Sequence, residues 1–62
     1  MNRYLAVYNL WEGDHEWTVQ EFIHKESDSE AREVAKDRQY NNLGNYGKKL
    51  VGLYKIEKQL DW

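Results

Sequence analysis

The fold of this 62-residue chain depends most on residues 3–25, which read RYLAVYNLWEGDHEWTVQEFIHK. Two runs rich in aromatic and aliphatic residues flank Gly13-Asp14, and a glycine-aspartate pair between two such runs is typical of a β-hairpin. Apolar residues occupy both alternating sets of residues 3–11, which favours a central strand, or a strand covered on both faces. The stretch therefore predicts two strands, at about residues 3–11 and 16–25.

The length of the turn sets the register of this hairpin. A two-residue turn at Gly13-Asp14 groups apolar side chains with apolar partners. Its apolar pairs are Tyr4–Ile23, Leu5–Phe22, Tyr8–Val19 and Leu10–Trp17, and it also places Trp11 opposite Glu16. A three-residue turn would instead place Val7 opposite Val19, because a slip of one residue exchanges the two faces of a strand. We prefer the two-residue register for its apolar pairs.

A helix is predicted next, over about residues 28–41. Ser27 and Glu30 have the S-x-x-E spacing of a capping box, in which the serine hydroxyl accepts a hydrogen bond from the backbone N–H three residues later. The apolar stripe of this helix is small and narrow, and consists of Ala31, Val34 and Ala35. Residues 41–47 are rich in Asn and Gly, which predicts the end of the helix and a loop.

A third strand is predicted over about residues 49–58, beside the first strand and either antiparallel or parallel to it. Alternation puts Leu50, Tyr54 and Ile56 on one face, and Val51 and Leu53 on the other. The tail either docks through Leu60 and Trp62 or frays. The sequence thus predicts an α+β fold of ββαβ order: one domain over residues 1–62, with a three-stranded sheet and one helix packed on one face.

Length and composition exclude several classes of protein. A chain of 62 residues without cysteine is too short for a multidomain enzyme and lacks the disulfides of a small secreted scaffold. No run approaches 18 apolar residues, so no membrane span is predicted. Nine aromatic residues argue against disorder. The N-terminal residues have no small-residue cleavage site, so a cytoplasmic location is expected.

The charges are unevenly distributed along the chain. The net charge of −2 is too close to neutral to predict nucleic-acid or membrane binding from bulk electrostatics. Residues 12–33 carry −6, whereas residues 34–62 carry +3. The molecule is therefore expected to present an acidic end and a weakly basic end.

Groups that would support catalysis are scarce. Ser27 and Ser29 are explained by the start of the helix, and without cysteine a nucleophilic dyad lacks its parts. His15 lies in an acidic turn whose spacing matches no Zn or Ca loop, so a solvated turn is favoured over a metal site. We expect no enzymatic activity and no cofactor; an accessory enzyme subunit or a small oligomeric enzyme is a third hypothesis.

Protein binding is the function that the sequence favours. One helix covers only one face of a sheet, so the aromatic side chains of the other face need a partner protein or a second copy of the chain, which would form a homodimer. Trp and Tyr anchor many protein interfaces. The residues predicted to bind the partner are Trp11, Glu12, Asp14, Glu16, Tyr46 and Trp62.

Single-stranded nucleic-acid binding is the alternative function. Aromatic rings on an open sheet face form the stacking platform of many readers of single strands. The rings considered are Tyr4, Tyr8, Trp17 and Tyr54, and the lysines near them are Lys48, Lys49, Lys55 and Lys58. The acidic hairpin would repel phosphate along one edge, so this function ranks second.

A resemblance to small phage-encoded proteins rests on the order of elements. An aromatic hairpin, a capped helix reading SDSEAREVAKD (27–37) and a final strand reading KLVGLYKIE (49–57) together resemble the build of phage-encoded inhibitors of host functions, among them anti-CRISPR proteins. The likeness covers most of residues 2–58. It implies a stoichiometric binder that inhibits or modulates a larger host complex, and it carries over no functional residue.

Overall fold

A computed structural model describes residues 2–42 and 45–56 as an antiparallel sheet with one helix against one face. The elements in chain order are β1 (Asn2–Glu12), β2 (His15–Lys25), α1 (Asp28–Asp37), β3 (Tyr40–Asn42) and β4 (Tyr46–Ile56). The strand order across the sheet is β2-β1-β4-β3. β1 therefore lies between two long strands, which is the central position that its sequence favoured.

The β1–β2 hairpin has the two-residue turn and the register preferred from the sequence. All five predicted pairs are present: Tyr4–Ile23, Leu5–Phe22, Tyr8–Val19, Leu10–Trp17 and Trp11–Glu16. Gly13 has a φ of 59°, in the left-handed region that glycine adopts without strain. Its N–H donates a 2.8 Å hydrogen bond to the carbonyl of Asn45, which ties the turn to the residue before β4.

The core lies between β1 and α1. Its buried residues are Tyr4, Ala6, Tyr8, Ile23, Ala31 and Ala35. The small side chains of Ala31 and Ala35 let the helix approach the tyrosine rings. The Tyr4 hydroxyl donates a 2.5 Å hydrogen bond to the carboxylate of Asp28. The Tyr8 hydroxyl donates a 2.8 Å bond to the Ala35 carbonyl, one of the last-turn carbonyls that have no partner within a helix.

The helix begins as predicted but ends earlier. Ser27 is its N-cap, and the serine hydroxyl accepts a 3.3 Å hydrogen bond from the backbone N–H of Glu30. This confirms the capping role predicted for the serine. The prediction that the helix extends to about residue 41 is wrong, because α1 ends at Asp37 and Arg38 is its C-cap.

Residues 40–42 explain both the shorter helix and a fourth strand that was not predicted. They form β3, which pairs antiparallel with residues 46–48 of β4. Tyrosine and asparagine are weak helix formers, and the edge of β4 supplies hydrogen-bond partners for their backbone. Within residues 2–42 and 45–56, the α+β class and the single helix are confirmed, whereas the three-stranded ββαβ arrangement is wrong by one strand.

A β-bulge interrupts β4 where it pairs antiparallel with β1. Val7 lies opposite Gly52 and Tyr8 lies opposite Leu50, so Val51 is the extra residue. The antiparallel pairing settles the orientation that the sequence left open. Beyond a bulge, the alternation of side chains between the two faces is shifted by one residue.

The bulge changes which side chains of β4 reach the core. Leu50 and Leu53 both pack against the core cluster. The prediction that these two leucines face opposite ways is therefore wrong, because simple alternation does not hold across the extra residue. Tyr54 and Ile56, predicted to lie on the same face as Leu50, pair with residues of the opposite set on β1.

Replacement of Tyr8 by phenylalanine tests the link between β1 and the helix. Tyr8→Phe leaves the Ala35 carbonyl without its partner, so we expect a loss of about 1 kcal/mol in the free energy of unfolding. Tyr54→Phe is the matched control, because Tyr54 is 59% exposed, and it should change stability by less than about 0.5 kcal/mol. Urea denaturation of both variants measures the difference. Equal effects would contradict the structural role assigned to the Tyr8 hydroxyl.

Candidate functional site

The face of the sheet opposite α1 carries the side chains that alternate with the core residues. On β1 these are Arg3, Leu5, Val7, Asn9 and Trp11. No described element packs against this face, which we call the open face. Side chains on the open face are therefore available to contact another molecule.

Three side chains form a row across the open face. Phe22 on β2 and Tyr54 on β4 are both cross-strand partners of Leu5 on β1. Phe22 is 52% exposed and Tyr54 is 59% exposed, while Leu5 between them is half-buried. The Tyr54 ring lies along its own strand over Gly52, where an added Cβ would stand 2.8 Å from the hydroxyl. We call Phe22, Leu5 and Tyr54 the apolar row.

Arg3 lies beside one end of the apolar row. Its guanidinium carbon is 4.5 Å from the centroid of the Phe22 ring, a cation–π arrangement. Its Nε is buried and has no hydrogen-bond partner among the residues that the structure describes. The cross-strand neighbours of Arg3 are His24 and Ile56, which offer no carboxylate. An unpaired buried donor is unfavourable, so a carboxylate brought to this position would be stabilised.

Trp11 occupies the other end of the open face. Its indole lies against Gly47 of β4, where an added Cβ would stand only 2.3 Å from a ring carbon. Glycine at this position is what lets the ring lie flat on the neighbouring strand. Glu16, the cross-strand partner of Trp11, accepts a 3.2 Å hydrogen bond from the side chain of Asn9.

The five described members of the predicted partner-binding set lie at the hairpin end of the sheet, with Glu12 opposite Tyr46 and Trp11 opposite Glu16, but these two pairs are on opposite faces. The acidic members are exposed at the hairpin end: Glu12, Asp14 and Glu16. Trp11 lies on the open face near them. Tyr46 lies on the helix side of the sheet, with its ring edge-on to Tyr40 at a centroid distance of 6.0 Å. Trp62 lies outside the described residues.

The rings predicted to form a nucleic-acid platform are divided between the core and the two faces of the sheet. Tyr4 and Tyr8 are buried beneath the helix at 2% and 0% exposure, so neither presents a face for stacking. Trp17 lies on the helix side, beyond the buried rings, and Tyr54 lies on the open face. The four rings therefore do not form one platform.

The lysines predicted for nucleic-acid binding are likewise separated. Lys55 lines a groove with Asp28, at the start of the helix. Lys48 and Lys49 both line a cleft near the end of the helix. Lys58 lies outside the part of the chain that the structure describes. Of the predicted lysines, only the adjacent pair thus shares a cleft within the described residues.

Glu21 on β2 links the end of the helix to β4. One of its oxygens accepts a 2.8 Å hydrogen bond from Arg38, and the other accepts from the Lys48 ammonium. That ammonium also lies 4.5 Å from the centroid of the Tyr8 ring. The hydrogen bond from Lys48, reinforced by the one from Arg38, lowers the pKa of Glu21 below its ordinary value, although partial burial acts in the opposite direction.

A cleft of about 460 Å³ lies between the end of the helix, the start of β3 and the adjoining part of β4. Its lining includes two aromatic side chains, three lysines and two amides: Trp11, Tyr40, Lys36, Lys48, Lys49, Gln39 and Asn41. The Gln39 side-chain oxygen accepts a 2.8 Å hydrogen bond from the backbone N–H of Leu50, which closes one side. Sequence reasoning missed this site because Tyr40 was assigned to the helix.

The described residues include neither a metal-binding cluster nor a membrane-spanning helix. Within residues 2–42 and 45–56, no group of three or more His, Asp or Glu side chains is placed to hold a metal ion. His15 and the acidic residues around it are exposed at the hairpin end. None of the described helices is long and apolar enough to cross a membrane.

No known protein family, curated protein or solved structure matches this chain. The resemblance to phage-encoded inhibitors therefore stays a prediction. The two surfaces that stand out by geometry are the open face with its apolar row and the cleft beside β3.

Replacement of Glu21 tests the ion-pair cluster through its pH dependence. At neutral pH, Glu21→Gln should lower the free energy of unfolding by about 1 kcal/mol or less, because Arg38 is 40% exposed and solvent screens its pair. A carboxyl whose pKa is lower when folded stabilises the protein above its unfolded pKa. The difference in the free energy of unfolding between wild type and Glu21→Gln should therefore shrink as the pH falls below the ordinary pKa of 4.5. It should continue to shrink until the pH is below the lower pKa of the folded protein.

Urea denaturation from about pH 7 down to about pH 3 measures this difference, with Glu33→Gln as the control at an exposed helical position. The control should change the free energy of unfolding by less than about 0.5 kcal/mol at every pH. A Glu21→Gln effect that grows on acidification would contradict the lowered pKa.

Gly47→Ala tests the contact between β4 and the indole. The new methyl group would overlap the Trp11 ring, so we expect a loss of about 1–3 kcal/mol in the free energy of unfolding, together with a shift in tryptophan fluorescence. In a Trp11→Val background the same change should be much less destabilising, because the overlapping ring is gone. A double-mutant cycle gives the coupling energy. Equal losses in both backgrounds would show that the indole does not lie on Gly47.

Proposed function

We propose that this protein is a non-enzymatic protein-binding module that contacts its partner through the open face of the sheet. The proposal rests on the apolar row, in which Phe22 and Tyr54 are each more than half exposed on either side of Leu5. Large aromatic side chains are enriched at the energetic centres of protein interfaces. A pair of such rings, held apart by one aliphatic residue on a regular sheet, is suited to receive an apolar segment.

The two exposed rings supply a large part of the binding free energy, but not all of it. An aromatic side chain presents roughly 200 Å². Covering the exposed half of each ring contributes about 2–3 kcal/mol at about 25 cal/mol per Å². Association of two proteins costs at least about 4 kcal/mol in lost translational and rotational entropy. A stable complex therefore also covers Val7 and Ile56, which are half-buried on the same face.

Arg3 determines the chemistry expected of the partner. Its guanidinium stacks on Phe22, and its buried Nε lacks a hydrogen-bond partner among the described residues. A carboxylate next to an apolar side chain would pair with Arg3 while the apolar side chain covers the row. The occupant we propose is thus a protein segment in which an Asp or Glu adjoins large apolar residues.

The double variant Phe22→Thr/Tyr54→Thr tests the proposal. Threonine keeps the preference for β-structure while removing both rings. The wild-type chain is expected to retain a protein from nuclease-treated lysate of its native host. Calorimetry with that protein, once identified, should then show at least about 100-fold weaker binding by the double variant, and at least about tenfold weaker binding by Arg3→Gln. Trp17→Thr is the matched control, because Trp17 is a 43% exposed ring on the other face.

Each outcome of this experiment has a defined meaning. Circular dichroism establishes that the variants keep their fold. Unchanged binding by the folded double variant overturns the proposal, as does a complex that nuclease destroys. Loss of binding in Tyr46→Thr with no loss in the double variant also overturns it, and would favour the residues predicted from sequence. A photo-crosslinker at position 22 that captures a second copy of the chain supports the surface and identifies a homodimer.

A further inference from the structure

The cleft beside β3 has the dimensions of a small-ligand site. Its volume of about 460 Å³ lies within the range of roughly 300–1,000 Å³ that is typical of small-molecule pockets. A space of this size holds one nucleotide, and it is too small for a folded partner. The apolar row of the open face takes no part in its lining.

The charge of the cleft favours an anion. Its lining includes three lysines and no Asp or Glu residue. Glu21 pairs with both Lys48 and Arg38. The three lysines of the lining, Arg38 and Glu21 together give a local charge of +3. Asp37 follows Lys36 in the sequence but lines a different groove. The cleft therefore attracts a phosphate locally, although the chain as a whole carries −2.

The aromatic side chains add a preference for a flat ligand. The Trp11 indole is held in place by its contact with Gly47. Tyr40 is 48% exposed and is supported edge-on by Tyr46. Stacking of a base on such a ring contributes about 1–3 kcal/mol. An inorganic anion would use only the lysines, so an aromatic anion gains more from this cleft.

We propose that the cleft binds a nucleotide unit, with its base stacked on Trp11 and its phosphate held by Lys36 and Lys49. Lys48 lines the same cleft, but its ammonium is bonded to Glu21. The unit is either a free mononucleotide or one nucleotide of a single strand, since both present the same ring and phosphate. An acidic peptide would engage the lysines but leave the indole uncovered. This site shares Trp11 with the open face but includes no member of the apolar row.

Titration of the ¹⁵N-labelled protein with AMP at low salt tests the site. We expect a dissociation constant of about 1 mM or tighter, with the indole N–H of Trp11 and the backbone N–H of Lys49 shifting together. Adenosine alone and inorganic phosphate alone should each bind at least about fivefold more weakly, because each lacks one of the two contacts. A ten-residue oligodeoxyadenylate distinguishes a nucleotide within a single strand from a free nucleotide. Tighter binding than AMP indicates a single strand, and equal or weaker binding indicates a free nucleotide.

Charge variants locate the binding. Lys36→Gln/Lys49→Gln should weaken AMP binding at least about tenfold and reduce its salt dependence. Lys55→Gln is the matched control, because Lys55 lines a separate groove at the start of the helix, and it should leave AMP binding unchanged. Absence of shifts at about 10 mM AMP, equal weakening by the control, or an equal response to a glutamate-rich hexapeptide would each overturn the proposal.

Discussion

Two tyrosines on one face of β1 hold the helix near both of its ends, and the placement of every surface depends on this attachment. The Tyr4 hydroxyl binds Asp28 in the first turn, and the Tyr8 hydroxyl binds the Ala35 carbonyl near the last turn. Four residues of strand span about 13 Å, and seven residues of helix span about 10 Å. The two attachment points therefore match in spacing, and they require the helix to run in the same direction as β1.

The length of the helix explains why so much apolar surface is left uncovered. Ten helical residues span about 15 Å, whereas the eleven residues of β1 span about 37 Å, so α1 covers less than half of one face. Beyond its end lie Trp17, Tyr40 and Tyr46, each more than two-fifths exposed. On the opposite face lies the apolar row. The aromatic residues thus serve both as core and as exposed surface, and the helix divides them between the two roles.

Part of the candidate site followed from the sequence. The hairpin register correctly paired Leu5 with Phe22, and the single helix implied an uncovered face. Tyr54 was misplaced because alternation was carried through Val51, the bulge residue. Nothing in the local sequence indicated that Arg3 stacks on Phe22. The acidic hairpin does lie beside Tyr46, which is opposite Glu12, but Trp11 and Glu16 are on the other face of the sheet.

Local signals were sufficient for the hairpin and for the start of the helix, whose interacting groups lie close together in the chain. The hairpin register depends on a two-residue turn, and the helix start depends on Ser27 and a backbone N–H three residues later. The bulge depends instead on the pairing of β4 with β1, whose residues are distant in sequence. The β3 strand pairs with nearby residues of β4, but its residues were assigned to the end of the helix and a loop. Packing across the sheet therefore decided which aromatic rings are buried, which face Phe22 and Tyr54 share, and how Tyr40 joins Trp11 in one cleft.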